Sequence, residues 1–327
     1  MRIIREKIRR RRRRTRLRFF YAAASCVLWL AGCFLFWNVR EERPATMADG
    51  GFWIWTEEEN VGVQLRLGNG DVLDLDDYGD EMVAVDSFYH VRNENNTLVY
   101  SDEEQKKDSV EFNTLSVPVG AEYRLVLADG TRVYLNAGSE LRFPVSFPAD
   151  NREVYLTGEA YFEVAKDSER TFKVHTEVMT TIVLGTSFGV RAYPDQELAM
   201  ATLAEGRLKV DCGQMEYDLS PGKQVRFDKR TNEGQLLDVD VEQYVSWKNG
   251  YYCFDGMALE EVMEMLSVWY GFEVEYVDAE VRRYLLTGRL KRYEDYGYLL
   301  RKFNETGGIR LELEGNMVRI EKEDGDS

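Results

Sequence analysis

Gly185-Thr186-Ser187-Phe188-Gly189 spells G-x-S-x-G, the pattern that lifts a nucleophilic serine onto a sharp turn between a strand and a helix. That chemistry needs a helix after the serine and a histidine later in the chain to take its proton. His90 and His175 are the only histidines and both precede Ser187, and the residues after Ser187 alternate as a strand does. A hydrolase elbow is therefore not expected. The densest acidic stretch is Asp74-Leu75-Asp76-Asp77-Tyr78-Gly79-Asp80-Glu81. An EF-hand loop fails there, because Tyr78 falls at the third ligand position and Val85 where the bidentate glutamate belongs. A solvated acidic loop is the expectation. Carboxylates abound elsewhere, but none is singled out as half of a glycosidase pair. No phosphate-cradling glycine loop and no Cys-x-x-Cys or histidine-rich metal spacing occurs, so neither cofactor nor metal is expected.

The elements that would have to position any chemistry begin with a charge junction. Eleven Lys and Arg lie in residues 1–18, six of them running from Arg9 to Arg14, and twenty-one uncharged residues follow, Phe19–Val39. As a helix that run measures about 31 Å, the thickness of a bilayer core. The basic stub predicts a cytoplasmic N-terminus and an exported remainder. The stub is +10 and the whole chain −16, so the remainder stands at −26. Such an exported part is not expected to bind nucleic acid or anionic lipid non-specifically. Leu30-Ala31-Gly32-Cys33 also fits a lipoprotein cleavage site that would leave Cys33 acylated. Phe34-Leu35-Phe36-Trp37 prolongs the apolar run and favours the uncleaved span. Cys26 and Cys33 fall on one helix face, and whether Cys212 and Cys253 pair is left open.

Residues 40–60 read as a polar tether. From Val61 to about 230 the pattern is β, without a convincing helix. Residues 64–75 (QLRLGNGDVLDL) and 124–135 (RLVLADGTRVYL) share register, turn position and apolar face. They predict two copies of one hairpin, the first with a type I′ turn at Asn69-Gly70. Phe172 and Val174, then Val178, Thr180, Ile182 and Leu184, then Phe188, Val190 and Ala192 continue the alternation, with His175 on the opposite parity. A mainly β domain of stacked hairpins, solenoid- or sandwich-like, is expected over 61–230. Asp228–Gln243 is polar and acidic, and 231–250 is read as a linker. Over 251–322 the order β-α-β-β-α-β-β predicts a small α+β domain with helices on one sheet face, followed by a tail at 323–327. Asp255 is the expected cap of its first helix, which carries Leu259, Val262, Met263, Leu266 and Tyr270 on one side.

Val117-Pro118-Val119-Gly120-Ala121-Glu122-Tyr123, residues 125–144, 152–167, 172–177 and 183–194 together resemble the periplasmic domain of FecR-type sigma-factor regulators. Residues 201–210 and 219–227 continue the likeness, and the C-terminal unit is similar to an STN-like domain. The resemblance implies a single-pass inner-membrane protein that holds an extracytoplasmic-function sigma factor through a cytoplasmic arm. It implies a periplasmic part that senses the signalling domain of a TonB-dependent outer-membrane transporter. Docking would fall on the C-terminal unit, with Tyr251, Phe254, Leu259, Met263, Trp269 and Tyr270 as contact residues. Family members usually carry a helical cytoplasmic domain longer than the eighteen residues before this apolar run. Either an upstream portion is missing or this copy has lost sigma binding. The resemblance also implies self-cleavage at Gly185-Thr186, against the plainer reading of a bend between strands. The rival reading of the whole chain is a membrane-anchored module that binds glycan or protein without regulating a sigma factor.

Overall fold

The computed structural model describes residues 62–77, 82–86, 89–93, 97–100 and 110–323. The basic stub, the run Phe19–Val39, the tether, Cys26, Cys33 and Tyr78–Glu81 lie outside the described residues. Among the described residues, no helix is long and apolar enough to cross a membrane.

The chain is mainly β, and among the described residues eighteen strands are built into two layers. The first layer runs from edge to edge through Val72–Asp74, Gln64–Arg66, Phe112–Val117, Ser139–Pro144 and the first half of Arg152–Glu163. It continues through Phe172–His175, Thr180–Val183, Leu208–Asp211 and Glu216–Leu219. The second layer runs Met82–Asp86, Tyr89–Asn93, Thr97–Tyr100, Tyr123–Val126, Arg132–Leu135 and the second half of Arg152–Glu163. Ser187–Ala192, Leu198–Glu205, Lys223–Asp228 and Glu233–Asp238 complete it. One apolar core, with Leu65, Leu115 and Leu141 from one layer and Leu125, Val133 and Phe188 from the other, fills the space between. Tyr100 meets Phe143 edge-on at 5.1 Å across it. The expected stack of hairpins is thus a sandwich whose layers share one strand.

That shared strand crosses over at Gly158. Its φ is +96°, and a Cβ there would stand 2.8 Å from the Cα of Ser139. The Ser139 hydroxyl instead accepts from the Glu159 amide at 2.9 Å and stitches the crossing.

The two hairpin copies form as read, with Leu65 opposite Leu73 and Leu125 opposite Val133. Their turns differ from the expected type I′. Gly70 and Gly130 have positive φ, whereas Asn69 and Asp129 do not. In each copy the glycine amide donates three residues back, to Leu67 or Leu127, and that residue's amide donates to the carbonyl of Asp71 or Thr131. This is a type I turn closed by a left-handed glycine. The Asn69 and Asp129 side chains decide it, since each accepts from the amide two residues on, at 2.9 and 3.0 Å, which favours an Asx turn.

Three further expectations are corrected. In Thr180–Val183 the inward face is Thr181 and Val183, joined by Met179, while Leu184 is exposed. Both parities of that stretch are apolar or β-branched, so only the pairing of Thr181 with Val174 and Val210 fixes the face. The presumed linker contains the strand Glu233–Asp238, paired along its whole length with Lys223–Asp228. Its leucines are adjacent and one is exposed, so no period of two shows in the sequence. Asp255 caps nothing: the strand Tyr251–Ala258 runs past it, and the helix Leu259–Tyr270 starts with Ala258 in the cap position without a side-chain bond.

The C-terminal α+β region has two small sheets rather than one. Tyr251–Ala258 pairs with Leu285–Lys291, and Met317–Lys322 lies between Glu273–Tyr276 and Ile309–Glu314. The second long helix, Tyr296–Asn304, is capped by Asp295, whose carboxylate accepts from the Tyr298 amide at 2.8 Å. Leu259, Val262, Met263 and Leu266 pack with Leu299, Phe303, Val318 and Ile320 in a separate apolar core.

Candidate functional site

The C-terminal region sits on the outer face of the second layer. Glu242–Val245 and Ser246–Asn249 form two short helical turns that deliver Val245 and Trp247 to that face. Tyr161 of the shared strand is buried in the C-terminal core, with Tyr134 and Ala204 against it. The Lys248 ammonium lies 4.7 Å from the Tyr161 ring centre and 5.5 Å from that of Tyr134, a cation–π contact at the partly exposed margin of the seam. At another point of the seam, Arg226 donates to Glu261 at 2.9 Å and to Tyr244 at 2.5 Å.

The centre of the seam is Arg292, whose side chain is fully buried. Its guanidinium lies 3.8 Å from the Trp269 ring centre, 5.3 Å from Trp247 and 5.5 Å from Tyr252. It donates to Asn136 Oδ1 in the sandwich, and Asn136 in turn donates to Glu159 at 2.7 Å. Arg191 stands 4.0 Å from the same Glu159 carboxylate. Glu122 Oε2 is 3.3 Å from Arg292 Nε, and the other oxygen of that carboxylate accepts from Tyr293 at 2.7 Å. Nε and Nη1 of Arg292 and the Tyr252 hydroxyl have no hydrogen-bond partner among the described residues. Burial raises the Tyr252 hydroxyl pKa, and it pushes that of Tyr270 up to about 12. Both phenols therefore stay neutral and add no charge to the seam.

The six expected docking residues divide into three groups. Phe254, Leu259 and Met263 are core residues. Trp269 and Tyr270 serve the seam, Trp269 by stacking on Arg292 and Tyr270 by donating to the carbonyls of Arg292 and Glu294 at 3.2 and 3.1 Å. Tyr251 belongs to neither group, with Arg289 3.4 Å over its ring and its hydroxyl bonded to Glu242. Arg292, Asn136, Glu159 and Glu122 were not foreseen. Arg292 stands among charged residues (KRYED) that look like a solvated turn, and its partners are far away in sequence.

Gly185 and Thr186 link Thr180–Val183 of the first layer to Ser187–Ala192 of the second. Thr186 is buried, and its hydroxyl donates to the Arg207 carbonyl at 2.8 Å. Gly206, at φ +96°, presses close: a Cβ on it would come within 2.9 Å of Thr186 Oγ1 and 3.3 Å of the Gly185 oxygen. Ser187 opens the strand Ser187–Ala192, so no elbow helix follows it. His175 lies on the outer face of the first layer, as its parity implied, stacked on Tyr155 at 5.0 Å. Cys212 and Cys253 are free thiols. Among the described residues, no three His, Cys, Asp or Glu converge as a metal site.

Comparison with known proteins supplies the context for this seam. The family model of the FecR protein matches residues 113–209, and the model of the FecR C-terminal region matches residues 251–320. Two crystal structures of a candidate anti-sigma factor from Parabacteroides distasonis superpose on the chain with a TM-score of 0.59 at 28% identity. They cover 64% and 65% of this chain and 99% and 100% of their own. No curated protein matches. The first match contains Glu122, Asn136 and Glu159, the second contains Trp269 and Arg292, and together the two take in just over half of the chain. The chain belongs to the FecR family.

Proposed function

We propose that this protein is a single-pass inner-membrane regulator of an extracytoplasmic-function sigma factor. Phe19–Val39 crosses the bilayer, with the basic stub in the cytoplasm and the acidic bulk in the periplasm. The C-terminal region receives the signalling domain of a TonB-dependent outer-membrane transporter, in the manner expected of an STN-like unit. Membership of the FecR family and the likeness to candidate anti-sigma factors support sigma-factor regulation. The observation that carries the reading is the Arg292 seam. A sensor must pass a binding event from one region to another, and this charged, partly satisfied contact is where the two regions meet.

The test uses the full chain in detergent with the purified signalling domain of a transporter from the same genome. Co-elution is expected, together with a sigma-dependent reporter that changes when the gene is removed. Absence of co-elution at tens of micromolar, with an unmoved reporter, would overturn the reading.

In this reading the chain is not a turnover enzyme. Its one covalent step is self-cleavage. Thr186 Oγ1 adds to the Gly185 carbonyl carbon, the C–N bond breaks as the hydroxyl proton passes to the Thr186 nitrogen, and water opens the resulting ester. Intact-mass analysis should give two fragments for the natural chain and one for Thr186→Ala. A single unbroken species from both removes this step.

A further inference from the structure

The outer face of the first layer carries a row of residues in direct register across adjacent strands. Arg66 is opposite Thr114, Thr114 opposite Arg142, Arg142 opposite Tyr155, and Tyr155 opposite His175. The Arg142 guanidinium lies 4.2 Å from the Phe112 ring centre and 5.1 Å from that of Tyr155. Tyr155 and His175 stack at 5.0 Å and 23°. The far end of the row is closed, since His175 bonds Thr180 and Glu153, and Lys173 is paired with Glu153. The near end is open. Arg66 and Arg142 are both exposed, and neither forms a salt bridge among the described residues. Between them lies a groove of about 590 Å³ whose apolar wall includes Leu67, Phe112 and the half-exposed Val110.

Two features narrow the ligand. Arg142 stands over Phe112 and His175 stacks on Tyr155, which leaves the two guanidinium groups as the charged features of the open end. The guanidinium of Arg142 is held by its rings and the side chain is exposed. A stacked guanidinium loses little freedom when it receives a carboxylate. Arg66 and Arg142 sit on strands separated by one other, about 10 Å apart. That distance matches two side chains three residues apart on one face of a polyproline II segment, which makes one turn in about 9 Å. Glu111 on the groove wall and Glu140, two residues from Arg142 on its strand, are the described acids at the open end of the row. Glu140 accepts from Ser116 at 3.3 Å.

We infer that this face binds an acidic peptide segment of a partner protein in the polyproline II conformation, one carboxylate on Arg66 and a second, three residues on, on Arg142, with an apolar residue between them leaning toward the wall of Phe112 and Val110. The site lies on the layer opposite the one that carries the C-terminal region, so its occupation is separate from the transporter contact.

The probe is the tetrapeptide Glu-Val-Ser-Glu, blocked at both ends, titrated calorimetrically into the full chain at low salt. The glutamine analogue should bind at least ~10-fold more weakly, because each charge-assisted contact corresponds to roughly tenfold or more. The exposed positions allow Arg66→Glu with Arg142→Glu to fold with an unchanged thermal transition. That variant should lose the acidic peptide and gain Lys-Val-Ser-Lys. Equal binding of the glutamate and glutamine peptides overturns the inference. So does an unaltered affinity in the charge-reversed protein, or binding of an acidic oligosaccharide in place of the peptide. If the reversed pair alters the thermal transition, Arg66→Gln with Arg142→Gln replaces it and should weaken the acidic peptide to the level of its glutamine analogue.

Discussion

Arg152 and Arg292 are both sealed from solvent, and they are held in opposite ways. Arg152 donates to Asp129, to the Ala165 carbonyl and to the Arg170 carbonyl, each at 2.9 Å. It gathers the second hairpin turn and the loop after the shared strand, and only its Nε lacks a hydrogen bond. Arg292 has one acceptor in Asn136, a carboxylate at 3.3 Å that makes no hydrogen bond to it, and the faces of three aromatic rings. Hydrogen bonds are directional and fix a geometry, whereas ring faces attract a cation over a range of positions. A buried charge with unfilled donors also gives back part of what its contacts supply. Arg152 is a staple within a domain. Arg292 is a joint between two.

The contrast can be broken most strongly at Arg152. Arg152→Ala should cost about 3–5 kcal/mol, the usual penalty for orphaning one partner of a buried pair, read as a lower urea midpoint for the sandwich. A loss under about 1 kcal/mol would mean that Asp129 and the loop carbonyls find water at little expense. Arg292→Met keeps the stacking volume and removes the charge. We expect a smaller loss of about 1–3 kcal/mol, confined to the joint. Amide exchange should quicken over residues 242–250 and stay unchanged in 123–135; uniform quickening would make Arg292 a second staple. A double-mutant cycle between Arg292→Met and Asn136→Ala should return a coupling of about 0.5–2 kcal/mol, and additivity would shift the weight of the joint onto its rings.

The smallest expected effect is at Glu264, on the helix Leu259–Tyr270. Burial raises its carboxyl pKa above the ordinary 4.5, while Arg191 pulls it back and Glu260 and Glu261 push it further up. Between 4.5 and that raised value the folded state holds the proton that the unfolded state has released. Stability therefore falls as pH rises through this window and levels off above it. Glu264→Gln should flatten that part of the pH–stability curve, and an unchanged slope would place the dependence in another group.

The hairpin repeat was legible because alternation and an Asx–Gly pair act locally. Its turn type was not, since the Asn69 and Asp129 side chains outcompeted the type I′ geometry. The helix Leu259–Tyr270 was legible from its spacing. Its start was hidden because Met257 and Ala258 bond across to Leu286 and Leu285, extending the strand over a would-be cap. The inward face of Thr180–Val183 could not be chosen from residues that are apolar on both sides. The seam was the least legible part. Its apolar members, Trp269 and Tyr270, read as a docking face, because a surface that meets another domain and one that meets another protein have the same composition. Arg292 and Asn136 are 156 residues apart, and no short-range pattern joins them.

The strand Arg152–Glu163 has a mechanical consequence. It is continuous across both layers, starts at the Arg152 staple and carries Tyr161, which is buried in the C-terminal core, and Glu159, which is linked to Arg292 through Asn136. Its second half is flanked on both sides by antiparallel neighbours. A pull on the C-terminal region therefore enters mid-strand, along a covalent rod of about 40 Å. To yield, that rod must slide against both neighbours at once rather than unzip one bond at a time, so tension reaches the far layer before the fold gives way.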